Sequence, residues 1–138
     1  MKRLRERQQR GQVLVMAAAV MAFLFIPLLV YVVDTGLVEA AHAQLGETLE
    51  AAAEDGASMI DQQAFRDSGG QTVVLDQAAA SDTAERSLRA SGLPGLTGDR
   101  VTVTANTVTV TATVHVPLLV VGAVNLTETR RASFVFAP

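Results

Sequence analysis

The chain contains no cysteine and no tryptophan, and it has only two histidines. Without cysteine it can form no disulfide framework, no thiolate metal site and no cysteine nucleophile. The histidines, His42 and His115, are isolated in the sequence, and no nearby carboxylate completes the ligand set of a metal or the partner of a general base. The sequence therefore predicts neither an enzyme nor a bound cofactor or metal, and it offers no candidate catalytic residue.

Two further sequence patterns are better explained by a structural role than by a binding site. The acidic residues Glu47, Glu50, Glu54 and Asp55 could bind a cation together, but a solvated helix face is the commoner explanation of such spacing. The segment "GLPGLTG" is glycine-rich but lacks the lysine and the spacing of a phosphate-binding loop, which predicts a turn. No small-molecule substrate is expected.

Charge is scarce and unevenly placed, at 18% of residues and a net charge of -3. Residues 1–10 carry five basic side chains and one acidic one, whereas the remainder carries six basic and 13 acidic side chains. A nucleic-acid-binding surface would need a basic patch in that acidic remainder. We therefore expect no nucleic-acid partner.

A long uncharged run follows the basic segment, with 23 residues from Gly11 to Val33. As a helix this run would span roughly 34 Å, enough for a hydrocarbon core of about 30 Å. Its 13 Val, Leu, Ile and Phe residues contribute about -4 to -8 kcal/mol on an insertion scale. The run therefore predicts a transmembrane helix over residues 12–33. By the positive-inside rule the N-terminus stays cytoplasmic and the rest is extracytoplasmic.

Two alternatives to this anchor remain. The run could be the core helix of a soluble protein, although its length and charged flank argue against that. It could also belong to a secretory signal, because "AAHAQ" offers a small-x-small site that would be cut after Ala43 to leave Gln44 as the first residue. Asp34, Glu39 and His42 between the run and that site are unusual for a signal peptide.

Helical spacing continues beyond the membrane segment and predicts one helix from Gln12 to Phe65, amphipathic in its outer half. Its many alanines and glycines fit two interpretations equally well. They could pack against the protein's own domain, or they could let neighbouring helices approach closely. The glycines of "RDSGGQT" then end this helix.

The rest of the chain predicts a helix and a sheet. A second helix is expected from Asp76 to Ala90, with Asp82 and Glu85 as an alternative capping-box start, and Gly92 and Pro94 end it. Its buried stripe should be Ala80, Ala84 and Leu88.

The segment "VTVTANTVTVTATVHV" alternates strictly and predicts a hairpin. With Asn106 and Thr107 as a two-residue loop, Val103 pairs with Val110, although a longer loop also fits. Pro117 ends this hairpin, and residues 117–126 contain an apolar connector. A third strand over residues 127–136 would place Ala132, Phe134 and Phe136 on one face.

These elements predict an α+β fold in which a long transmembrane helix leads into a small domain with a second helix and a three-stranded antiparallel sheet. We expect four segments. They are a basic leader (1–11), the transmembrane helix (12–33), an extracytoplasmic amphipathic helix (34–66) and a small α+β domain (67–138).

The segment "RGQVLVMAAAVMAFLFIPLLVYVVDTGLVEAAHAQLGETLEAAAEDGAS" resembles the N-terminal region of the TadE/TadG-like proteins of the tight adherence (Flp) pilus machinery. The resemblance lies in the basic leader, in Arg10 and Gly11, in the apolar helix that ends with Asp34, Thr35 and Gly36, and in the small-residue segment 51–57. It covers residues 7–58, and the remainder of the chain is similar to the small extracytoplasmic domains of TadE-like minor pilins.

The resemblance implies a pilin-like fold and a single-pass inner-membrane protein. Such a protein helps to assemble or anchor a pilus and contacts other pilus or secretion-system subunits through its N-terminal helix. It also marks the bond between Gly11 and Gln12 as a leader-processing site. Met16, however, stands at the fifth position after that bond, where pilin precursors carry glutamate. This departure favours an uncut anchor but leaves cleavage open.

Overall fold

A computed structural model describes the backbone of residues 2–120 and 122–134, and the side chains of residues 12–120 and 122–134. The α+β prediction is confirmed: within these residues a long apolar helix precedes two shorter helices and a three-stranded antiparallel sheet. The chain divides into two units, residues 1–37 and residues 38–138. The elements are α1 (Lys2–Ala57), α2 (Gln62–Asp67), α3 (Gln77–Ala90), β1 (Leu96–Val103), β2 (Thr107–Pro117) and β3 (Ala123–Ser133).

The long helix ends earlier than predicted, at Ala57 rather than Phe65. The backbone that follows pairs with a distant segment, because Asp61 N–H donates to the Val74 carbonyl and Ile60 forms a bridge with Leu75. The Asp61 carboxylate then accepts hydrogen bonds from the backbone N–H groups of residues 63 and 64 and starts α2. Asp61 is thus the N-cap of a separate helix, whereas the hydrophobic periodicity predicts one continuous helix through this region.

The helix α3 agrees with its prediction. Asp76 caps it by accepting hydrogen bonds from the N–H groups of Ala78 and Ala79, so the expected start is confirmed and the start at Asp82 is wrong. The predicted stripe is also confirmed, since the buried residues of α3 are Ala80, Ala84 and Leu88. Gly92 follows the helix with a φ of +63°, a left-handed conformation that glycine adopts without steric cost.

The sheet has the order β1-β2-β3, but the hairpin register differs from the two-residue-loop prediction. Val103 pairs with Val108 rather than Val110. The turn is centred one residue earlier than predicted, because Thr104 N–H donates to the Thr107 carbonyl. The carbonyls of the turn residues Ala105 and Asn106 accept hydrogen bonds from the N–H groups of Leu75 and Phe134. Since the register moved by two residues, every valine kept its face.

A β-bulge in β1 changes which face of the sheet the first residues of this strand occupy. Gly98 and Asp99 together lie opposite Ala112, and Gly98 has a φ of +64°. The extra residue shifts the alternation by one position, so that Leu96 pairs with Val114 and joins the core face. The predicted start of the third strand at residue 127 is wrong, since β3 begins at Ala123. Phe136 lies outside the described residues.

The hydrophobic core lies in the second unit, between the sheet and helices α1 and α3. Five alternating residues of β2 face it: Val108, Val110, Ala112, Val114 and Val116. Helix α1 contributes Leu45, Leu49, Ala52, Ala53 and Ala57, and α3 contributes its buried stripe. The small residues of α1 in this unit therefore pack on the protein's own domain, one of the two interpretations that the sequence left open.

Gly56 is a point of close approach between α1 and this core. A Cβ atom added there would lie 3.0 Å from the Ala80 carbonyl oxygen and 3.2 Å from Val108 Cγ1. At Gly36, also in α1, an added Cβ meets nothing within 4 Å.

We therefore expect Gly56→Ala to be less stable than Gly36→Ala by about 1–3 kcal/mol, the usual cost of overpacking. Both substitutions gain the same helix propensity, so Gly36→Ala is a matched control. Thermal unfolding of the detergent-solubilised chain, followed by circular dichroism, measures the difference. Equal melting temperatures for the two variants would contradict the close packing at Gly56.

Candidate functional site

The first candidate site is the apolar half of α1. The segment of this helix from Gln12 has an 18-residue window with a mean hydropathy of 2.9, and none of that window is buried. Its large side chains are exposed, for example Phe23 at 79% and Leu14 at 72%. This helix is long and apolar enough to cross a membrane. A surface of this kind suits lipid because the backbone groups are already bonded within the helix.

The residues of the family resemblance are spread along this helix. Arg10 and Gly11 lie outside the residues whose side chains are described, so the structure gives no side-chain geometry for this part of the predicted processing site. Gln12 and Met16 are exposed, whereas Asp34 is buried with an exposed fraction of 9%. Gln12 and Asp34 are separated by 22 helical residues, or about 33 Å, so they cannot form one site.

A second candidate is a cluster of charged side chains between α1 and β3. Glu128 is on the core-facing side of β3, opposite Ala112, and its side chain is only 10% exposed. Its Oε1 atom forms an ion pair with the Arg130 guanidinium and lies 3.9 Å from His42 Nε2. Gly46 makes room for the pair, because an added Cβ there would lie 2.9 Å from an Arg130 nitrogen.

The Glu128 carboxylate is incompletely satisfied within the described residues. Its Oε2 atom is buried and has no hydrogen-bond partner. A buried carboxylate is costly unless it is paired, so the neighbouring Arg130 is what makes the charge tolerable. Arg130 and His42 are themselves 43% and 61% exposed. The cluster therefore lies at the rim of the core, where β3 meets α1.

Sequence reasoning missed this cluster, although the signal was present. The alternation that placed Ala132 and Phe134 on the inner face, extended backwards, places Arg130, Glu128 and Leu126 there too. The predicted strand over residues 127–136 includes Glu128 and Arg130, but the prediction assigns only its apolar residues to a face. His42 was interpreted as an isolated histidine, because its partner is 86 positions away in the sequence.

The remaining candidates serve the local structure. His115 Nδ1 is 2.8 Å from Asn125 Oδ1 on the exposed face of the sheet. On α1, Asp55 accepts a hydrogen bond from Ser87 at 2.7 Å, and Glu47, Glu50 and Glu54 are exposed. Among the described residues no group of His, Asp and Glu side chains is arranged to hold a metal ion.

A groove of about 790 Å³ opens beside α2 and is bordered by Met59, Phe65 and Phe134. Its polar groups already have partners. The Asp76 carboxylate caps α3, and Arg66 bonds to Gln62 on the same short helix. The groove therefore presents mainly apolar side chains and offers no pair of groups positioned for acid-base chemistry.

Comparison with protein-family models, with curated proteins and with solved structures finds no match. Function is therefore inferred from the structure itself. The apolar segment of α1 is exposed, and the last part of the same helix packs into the core of a small domain.

Proposed function

We propose that the protein is a membrane-anchored component of a tight adherence (Flp) pilus assembly or secretion system, of the minor pilin or pseudopilin type. The observation that carries the proposal is that α1 combines two surfaces in one helix. Its first part has exposed apolar side chains suited to lipid or to other helices, and its last part packs into a folded domain. The ordered N-terminal pattern of Arg10, Gly11, Asp34 and Gly36 supports the same assignment.

In this role residues 12–33 span the inner membrane, with the basic N-terminus in the cytoplasm and the sheet domain outside. The apolar face of the helix contacts other pilus or secretion-system subunits within the bilayer. Helix association in the bilayer depends on close van der Waals packing of side chains, because lipid tails are as apolar as the side chains and the hydrophobic effect does not favour association.

Photo-crosslinking in the native host tests the proposed partners. A photoreactive amino acid at Phe23, which is 79% exposed, is expected to capture pilus or secretion-system subunits that mass spectrometry can identify. The same group at Asn106, in the loop between β1 and β2, is the control and should not give those adducts. Deletion of the gene is expected to reduce surface pili.

Adducts without any pilus or secretion-system subunit, together with normal piliation in the deletion strain, would overturn the proposal. That result would favour an unrelated signal-anchored binding or sensor module of the envelope. The intact mass of the native protein separates the processing alternatives. A start at Met1 indicates an uncut anchor, a start at Gln12 a pilin-like processed chain, and a start at Gln44 a secreted domain.

A further inference from the structure

The turn between β2 and β3 exposes two large apolar side chains. Leu119 is 66% exposed and Val120 is 72% exposed, the highest values for large apolar residues in the described part of the second unit. The segment 117–124, "PLLVVGAV", contains no charged residue. An exposed apolar tip of this kind is unfavourable in water and is typical of a surface that meets another apolar phase.

Contacts within the second unit show at which end this turn lies. Gly56 of α1 lies against Val108 at the start of β2. Gly46 lies against the side chains of Arg130 and Glu128, whose partners Val110 and Ala112 are further along β2. Moving back along α1 therefore corresponds to moving forward along β2. The helix and the strand run in opposite directions, so the β2–β3 turn lies at the end of the unit where α1 enters it.

The lengths of the two elements agree with this placement. From Gly46 back to Val38, the first residue of the unit, the helix rises about 12 Å. From Ala112 to Pro117, where β2 ends, the strand rises about 17 Å. The strand is thus long enough to bring the turn level with Val38.

We propose that Leu119 and Val120 insert into the extracytoplasmic lipid–water interface of the inner membrane, as a second membrane contact of the protein. The inference rests on the proposed anchoring of residues 12–33. The apolar run ends at Asp34, four residues before Val38, so the anchor holds this end of the domain near the lipid surface. Lipid is the favoured occupant because the segment is uncharged, because its large apolar side chains are exposed, and because the turn lies at the end of the second unit where α1 enters it.

Fluorescence of single tryptophans tests this contact, and the chain suits it because it contains no tryptophan. The full-length Val120→Trp variant is reconstituted in phosphatidylethanolamine and phosphatidylglycerol vesicles, with or without brominated acyl chains that quench tryptophan on contact. Asn106→Trp, in the loop at the opposite end of the sheet, is the control for a water-exposed position. Leu24→Trp, in the middle of the apolar run, is the control for the anchor.

The proposal expects brominated lipid to quench Val120→Trp severalfold more strongly than Asn106→Trp. Equal, weak quenching of these two variants would overturn it, while strong quenching of Leu24→Trp would leave the anchor intact. A blue-shifted but unquenched Val120→Trp would also overturn it, because protein, such as a second copy of the chain, would then cover the turn. If Leu24→Trp is itself unquenched, the membrane anchor fails.

Discussion

Replacing Leu24 and Leu28 together by arginine is expected to release the protein from the membrane. On an insertion scale each change from leucine to arginine near the helix centre costs about 3–4 kcal/mol, so the pair costs roughly 6–8 kcal/mol. The apolar residues of the whole segment supply only about -4 to -8 kcal/mol. The two substitutions thus remove essentially all of the driving force for insertion.

Alkaline carbonate extraction of cell membranes measures this effect. The unaltered chain should remain in the membrane pellet, and the double arginine variant should appear in the supernatant or be degraded. Leu24→Ile with Leu28→Ile is the matched control, because isoleucine and leucine insert with similar free energies. An arginine variant that stays in the pellet would mean that another part of the protein holds it to the membrane.

Replacing Arg130 by alanine is expected to destabilise the domain by about 2–3 kcal/mol. The substitution leaves the Glu128 carboxylate, 10% exposed, without its ion-pair partner. Breaking a fully buried pair costs about 3–5 kcal/mol, and the lower figure here reflects the 43% exposure of Arg130, which lets water reach the pair.

Removing both charges should have the opposite outcome. Glu128→Leu with Arg130→Met leaves no unpaired charge and fills the same space with apolar atoms, so its stability should equal or exceed that of the unaltered chain. Arg131→Ala, on the exposed face of the same strand, is the control and should change stability by less than about 0.5 kcal/mol.

Denaturant unfolding of the detergent-solubilised chain, followed by circular dichroism, gives these free energies. If Arg130→Ala proves as harmless as Arg131→Ala, then the Glu128 carboxylate is solvated and does not need Arg130 to neutralise a buried charge. A double variant much less stable than Arg130→Ala would show that the ion pair itself stabilises the domain.

Local patterns were sufficient for much of the fold. Asp76 as the start of α3 and the buried stripe of Ala80, Ala84 and Leu88 depend on residues within a few positions of each other, and both predictions are confirmed. The faces of the hairpin valines were also predictable, because alternation survives any shift of the register by two residues.

Two of the predictions that failed involve contacts with distant segments. The hairpin turn lies one residue earlier than predicted, and the carbonyls of Ala105 and Asn106 in it accept hydrogen bonds from the distant residues Leu75 and Phe134. In the same way α1 ends at Ala57 because the backbone after it pairs with residues 74–76. Neither partner is visible in a local window of sequence.

The sequence by itself determined the apolar helix, the alternating strands and the acidic character of the remainder. These follow from residue type and spacing, which act over one or two turns of chain. Only the tertiary structure decided that Gly56 lies against Ala80, and that His42, Glu128 and Arg130 meet at the edge of the core. Tertiary structure also placed the β2–β3 turn at the end where α1 enters the second unit. Such contacts join residues tens of positions apart, and their geometry is set by how the helix packs across the sheet, which no local periodicity encodes.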